Sequence, residues 1–167
     1  PVVVGTSSGG TDDAVRRTRL AEEAEADGVM VVAPFYSQLT RDELIRHYVT
    51  IADSTNLPVM IYNNPETSGV DIQPDTIEAI YRQCPNACYV KESTRDVRRV
   101  SEILLRTDGG VKVFAGILAL ESFHEGACGW VSVPGLVVPR LASELFTLAV
   151  DQGDLAAARE VYLRLWD

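Results

Sequence analysis

Two lysines stand among 13 arginines in this chain, Lys91 and Lys112. Arginine serves surface ion pairs as well as lysine does, but it cannot act as an amine nucleophile. Lys91 closes the apolar run Cys88-Tyr89-Val90, which would project its amine from a largely apolar wall. Desolvation there favours the neutral amine, and a neutral amine attacks carbonyl carbon. An ion pair with Glu92 is the competing reading. Tyr62 closes another apolar run, and a phenol suits proton transfer beside an amine that forms and hydrolyses an imine. A packing tyrosine at a strand end is the alternative there. Tyr36 follows Pro34-Phe35 just past a third run, with the same alternative.

The elements that must position these groups are legible as a repeat. Apolar, β-branched-rich runs of about five residues occur at 1–4, 28–33, 58–62, 87–90, 111–115 and 128–133, without polar alternation, as in strands buried on both faces. Helical patterns separate them. One opens at Thr11-Asp12-Asp13, whose acids suit a helix N-terminus. A capping box, Thr40-Arg41-Asp42-Glu43, opens the second, and Pro74-Asp75 the third. Thr94-Arg95-Asp96 opens a fourth. Further helices are expected at about 118–125, 139–150 and 154–165. Six βα units in one continuous α/β domain over 1–167 follow, with parallel strands and right-handed crossovers.

An open doubly wound sheet would carry a Gly-rich phosphate turn after an early strand. Gly5-Thr6-Ser7-Ser8-Gly9-Gly10 lacks that spacing. A (β/α)8 TIM barrel instead sets its chemistry at the carboxyl ends of several strands. Those ends read Gly5-Thr6, Pro34-Phe35-Tyr36, Tyr62-Asn63-Asn64, Lys91-Glu92-Ser93, Gly116 and Pro134-Gly135. The barrel is the expected fold, with six of its eight units in this chain.

The net charge is −9, from 24 acidic and 15 basic residues, a balance that repels phosphate backbones and anionic lipid. Neither nucleic acid nor membrane is an expected partner, and no run reaches the ~18 apolar residues of a membrane helix. Three cysteines without metal spacing (Cys84, Cys88, Cys128) suit a reduced, cytoplasmic protein. His47 is expected on a helix surface or interface, and Arg98-Arg99 on a solvated helix face. Glu121 and His124 lie one helical turn apart without a further ligand, so no metal site is expected.

At these residues the chain resembles the dihydrodipicolinate synthase/N-acetylneuraminate lyase family of Schiff-base-forming barrels. The matching segments are Val4-Gly5-Thr6, Val31-Val32-Ala33-Pro34-Phe35-Tyr36, Ile61-Tyr62-Asn63-Asn64-Pro65 followed by Ser68-Gly69-Val70-Asp71, Val90-Lys91-Glu92-Ser93-Thr94 and Gly129-Trp130-Val131-Ser132-Val133. The resemblance implies a lyase acting on pyruvate or another 2-oxo acid without metal or organic cofactor. It makes Lys91 the imine-forming lysine, Tyr62 the proton relay, and Tyr36 a tyrosine that reaches a neighbouring subunit's site in a homotetramer. Gly116 and Val131 fall where the family lines the 2-oxo acid pocket.

Two departures shape the expectation. The lysine-biosynthetic synthases carry an Arg after the Tyr-Asn-x-Pro segment for the second substrate's carboxylate. Here Thr67 stands in that place and cannot make a bidentate contact. Aldol cleavage, condensation or dehydration of a 2-keto-3-deoxy sugar acid is therefore expected ahead of dihydrodipicolinate synthesis proper. Family chains also have two βα units before this sequence and helices after it, so these six units read as the third to eighth, the middle of a protein of roughly 300 residues. A catalytically incompetent fragment or a self-associating, non-enzymatic scaffold is the alternative. A phosphosugar barrel enzyme is disfavoured because Pro134-Gly135 is a poor phosphate loop.

Overall fold

All six apolar runs form strands in the computed structural model, which describes residues 1–165. They are β1 (Val3–Gly5), β2 (Gly28–Val32), β3 (Val59–Asn63), β4 (Tyr89–Glu92), β5 (Lys112–Ala115) and β6 (Gly129–Trp130). Every pairing is parallel and the order is sequential, β1 to β6. Parallel neighbours need a crossover, supplied by α1 (Thr11–Glu23), α2 (Arg41–Ala52), α3 (Pro65–Ser68) with α4 (Pro74–Gln83), α5 (Arg98–Arg106) and α6 (Ala119–His124). After β6 come α7 (Pro139–Phe146) and α8 (Leu155–Leu163). The architecture is a partial (β/α)8 barrel.

Strand side chains alternate between faces, and the two faces differ here. Val31, Ile61, Val90 and Val113 are fully buried toward the helices. They pack in one cluster with Tyr48, Ile51, Ile77, Ile80 and Ile103. Tyr48 keeps its phenol satisfied in that core by donating to the Val31 carbonyl at 3.1 Å. The opposite, concave face carries Met30, Met60 and Tyr89 in one row and Val32, Tyr62, Lys91 and Phe114 in the next.

Local chemistry sets the helix ends. The capping box forms as expected: Thr40 Oγ1 accepts from Glu43 N, and Thr40 N donates to the Glu43 carboxylate at 2.8 Å. Helix α5 begins at Arg98, later than the Thr94 start that the sequence suggests. Arg95 is left-handed (φ 67°), and Thr94 Oγ1 and Asp96 Oδ1 accept from the backbone N–H groups of Asp96 and Arg98. These local bonds compete with the helix. The expected helix over 139–150 changes winding after Phe146 into a π-helical stretch, Thr147–Asp151. The last strand is shorter than its apolar run, and α3 was not anticipated. Pro65 starts that short turn and Gly69 ends it at φ 70°.

His47 is not at the surface. It is 3% exposed between α1 and α2, sharing a 2.9 Å hydrogen bond between Nδ1 and Thr11 Oγ1, with its ring edge-on to Tyr48. Nε2 is buried without a partner among the described residues. The α2 pattern put an apolar stripe through Leu44, Tyr48 and Ile51, and position 47 shares that stripe at i+3 from Leu44. Desolvation pushes the imidazole down from 6.5 to about 4. The unfolded chain therefore takes up a proton at higher pH than the folded one. This contribution to stability is complete above pH 6.5 and is lost as the pH falls through 4, on the order of 3 kcal/mol in all. Urea unfolding midpoints should fall between pH 6.5 and 4, and His47→Met should flatten that part of the profile.

Candidate active site

The register of β3 and β4 pairs Tyr62 with Lys91 and Asn63 with Glu92. Alternation then sends the first pair to the concave face and the second toward the helices. Lys91 is 8% exposed, and its Nζ lies 3.9 Å from the centroid of the Tyr62 ring. That is within cation–π range. Beneath this pair runs an apolar groove of about 360 Å³ lined by Val3, Met30, Met60, Tyr89 and Phe114 among others. Among the described residues Lys91 has no carboxylate within ion-pair distance. The Glu92 ion-pair reading fails because Glu92 faces the other way.

Tyr62 is surrounded by donors. Burial pushes its phenol up, but the hydrogen bond from Asn64 Nδ2 (2.9 Å), hydrogen bonds with Lys91 and Ser93, and the Lys91 charge outweigh that and hold it below its usual value. Ser93, 2% exposed, lies just past the end of β4 and shares the concave parity of Lys91. Gly116 makes room for it: a Cβ there would overlap Ser93 Oγ and lie 3.0 Å from the Glu92 carbonyl. Gly129 does the same for Phe114, whose ring occupies the space of its missing side chain.

Behind this face lies a second polar layer. Asn63 is fully buried. Its Oδ1 accepts from Ile72 N at 2.9 Å, and its Nδ2 donates to Glu92 Oε2 (3.1 Å), Asp71 Oδ1 (3.2 Å) and the Ile72 carbonyl (3.3 Å). Glu92 Oε1 accepts from Thr94 N at 2.8 Å. Burial holds the Glu92 carboxyl above its usual range despite the bonds from Asn63 and Thr94. Arg99 is 14% exposed and pairs with both Asp71 oxygens at 2.7 Å, so it is a structural brace rather than part of a solvated face. Arg98, at 85% exposure, fits the solvated reading.

The structure brings together Lys91 and Tyr62 of the residues marked in the sequence, with Gly116 and Val131 one step above them, just past the ends of β5 and β6. Val131 N donates to the Ala115 carbonyl at 2.9 Å. Thr67 lies exposed in α3. Tyr36 is 91% exposed on the loop after β2, and the hydrogen bonds around Tyr62 do not include it. Asn64 and Ser93 were missed as site residues. Period-two counting would have found both, Ser93 from Lys91 and Asn64 from Tyr62. Among the described residues, no group of three or more His, Cys, Asp and Glu is arranged to hold a metal ion. None of the described helices is long and apolar enough to cross a membrane.

An amine and a phenol meeting at the carboxyl ends of adjacent strands, over an apolar floor, define a βα-barrel protein with its polar groups on the catalytic side of that fold. The chain belongs to the dihydrodipicolinate synthetase family, whose model matches residues 1–167; its members are aldolase-type lyases. The 4-hydroxy-tetrahydrodipicolinate synthase of Sulfurihydrogenibium sp. is 34% identical over 169 residues, which cover 100% of this chain and 57% of that protein. The enzyme of the same name from Aquifex aeolicus is 38% identical over 168 residues, 99% of this chain and 57% of its own length. The crystal structure of dihydrodipicolinate synthase from Aquifex aeolicus superposes with a TM-score of 0.96 at 38% identity, covering 99% of this chain and 57% of that one. The Thermotoga maritima dihydrodipicolinate synthase superposes at 0.93 with 29% identity and the same coverage. The chain thus spans a little over half the length of the relatives it matches.

The close approach at Gly116 is directly testable. Gly116→Ala should lower stability by about 1–3 kcal/mol through overpacking against Ser93 and the Glu92 carbonyl. Urea unfolding with an unchanged midpoint would contradict that packing.

Proposed function

We propose that this chain carries the Schiff-base half of a 4-hydroxy-tetrahydrodipicolinate synthase-type lyase, with pyruvate as the 2-oxo acid. The observation that carries this reading is the buried Lys91 Nζ set over the Tyr62 ring at the carboxyl ends of β4 and β3. Lys91 Nζ forms a bond to the 2-oxo carbon, and the carbonyl oxygen leaves as water to give an imine. Loss of a C3 proton gives the enamine, whose C3 bonds to the carbon of an incoming aldehyde. Water then hydrolyses the imine and frees the amine. A phenol held below its ordinary value reaches the phenolate form more readily, and the phenolate is the form that accepts a proton, so Tyr62 is suited to take the lysine proton and return it. Ser93 and Asn64 hold the phenol for that exchange. Gly116 and Val131 present backbone beside it for the 2-oxo acid.

The sugar-acid expectation drawn from Thr67 gives way here. Relatives at 34% and 38% identity bear the synthase name, and one neutral residue on an exposed turn is a weaker guide than similarity along the whole chain. Tyr36 is assigned to contact with a second copy in a homo-oligomer, a reading supported by its near-complete exposure on a loop at the catalytic end of the barrel.

Incubation with pyruvate followed by borohydride should leave a reduced adduct on Lys91, located by peptide mass spectrometry. Lys91→Met should abolish it, and Lys112→Arg should leave it intact. An adduct confined to Lys112 or the N-terminus would refute the assignment.

A further inference from the structure

We propose that Asn63 and Glu92 are positioning residues: their hydrogen bond on the helix-facing side of the sheet sets the placement of Lys91 against Tyr62 on the concave side. This rests on the Schiff-base reading only for its catalytic consequence; the geometry stands by itself. Each member of the inner pair is the chain neighbour of a member of the outer pair, Tyr62 of Asn63 and Lys91 of Glu92, and both pairs are in register. The strand ends are where the ladder stops, so main-chain bonds no longer fix the separation of β3 and β4 beyond this point. The last of them is the bond from Ser93 N to the Asn63 carbonyl at 3.0 Å. The Asn63–Glu92 contact adds a side-chain tie at that same level.

The tie is itself held from three sides. Ile72 N binds Asn63 Oδ1, Thr94 N binds Glu92 Oε1, and Arg99 on α5 binds Asp71 and the Ile72 carbonyl. Both acceptor groups of Asn63 Nδ2 outside the sheet, Asp71 Oδ1 and Ile72 O, are therefore also bound by Arg99. A buried polar network of this kind is costly when any member is unpaired and rigid when all are satisfied. The carboxylate is required for it. Glu92 accepts on both oxygens, Oε1 from Thr94 N at 2.8 Å with a longer contact from Asn63 Nδ2 at 3.4 Å, and Oε2 from Asn63 Nδ2 at 3.1 Å, and a carboxamide can accept on only one side. A glutamine at position 92 would set an NH2 group against a donor whichever way it turned.

The chain's two lysines make the geometry measurable apart from activity. In a 13C-lysine-labelled chain, two side-chain CεH2 signals arise. The signal of Lys91 should be displaced upfield by the Tyr62 ring current, and Tyr62→Leu should remove the displacement and so assign it. In Glu92→Gln the displacement should collapse while the Lys112 signal and the amide spectrum of the folded chain persist. Borohydride trapping of pyruvate on Lys91 should slow by about tenfold, the scale of one lost hydrogen bond to a buried charged group. A folded Glu92→Gln chain with the Lys91 displacement unchanged overturns the proposal. If Glu92→Gln does not fold, Arg99→Met, which removes only the outer brace, decides in the same way: a partial collapse supports it, and an unmoved Lys91 signal overturns it. If the unsubstituted chain is not trapped by pyruvate at all, the Schiff-base reading fails, and the displacement still decides the role of Asn63 and Glu92.

Discussion

The parallel register between β3 and β4 is the constraint on which the site depends. A single-residue slip in a strand sends every side chain to the other face. Here a slip of β4 would bury the Lys91 amine among the helices and turn Glu92 into the barrel. The register is held by the hydrophobic pattern itself. Ile61 and Val90 are fully buried on the helix side, and each such side chain contributes about 1.5–3 kcal/mol that a slip would forfeit. The same aliphatic residues that make the core thus decide which polar residues face the groove. Packing and chemistry are not separate layers of this fold, because the period of two couples them residue by residue.

That coupling explains why polar groups are buried on the helix side at all. Glu92 is 6% exposed, and a desolvated carboxyl is costly unless its oxygens are bonded. The sheet turns the cost into order by satisfying Glu92 from Asn63 and from the Thr94 N–H, and by bracing the next shell with Arg99 and Asp71. The consequence reaches down the chain. The loop from Gly69 to Gln73 is tied to β3 through Ile72, and α5 is tied to the loop through Arg99, so two crossovers are joined at the carboxyl ends of the strands.

Much of this was legible in the sequence. The six runs announced six strands because buried parallel strands show no alternation, and the Thr40–Glu43 box announced a helix start because its two hydrogen bonds are local. Lys91 and Tyr62 could be marked because strand ends are readable and both residues are chemically distinctive there. Three things were not legible, for one shared reason. The burial of His47, the bracing role of Arg99 and the Asn63 contact of Glu92 are all set by contacts between residues distant along the chain, such as Thr11 with His47 and Asp71 with Arg99. A charged or titratable side chain carries no local mark of whether it faces water. The late start of α5 failed differently. Thr94 and Asp96 are good helix-capping types, and here they spend that capacity on their own turn.

The contrast between the two lysines shows what the fold adds to residue type. Lys112 opens β5 in register with Tyr89, at the amino end of its strand, and it is exposed. Among the described residues no carboxylate lies within ion-pair distance of its amine. Lys91 lies near the carboxyl end of β4, at the other end of the sheet and on the same face as Lys112 by register, yet it is nearly buried against an aromatic ring whose phenol is held by Asn64 and Ser93. Direction along a parallel sheet, rather than the choice of lysine, makes the difference. Carboxyl ends of parallel strands converge on the start of the crossovers, where loops supply donors such as Asn64 and where Gly116 leaves space for Ser93. The amine of Lys91 meets its aromatic and hydroxyl neighbours where β3, β4 and β5 end together.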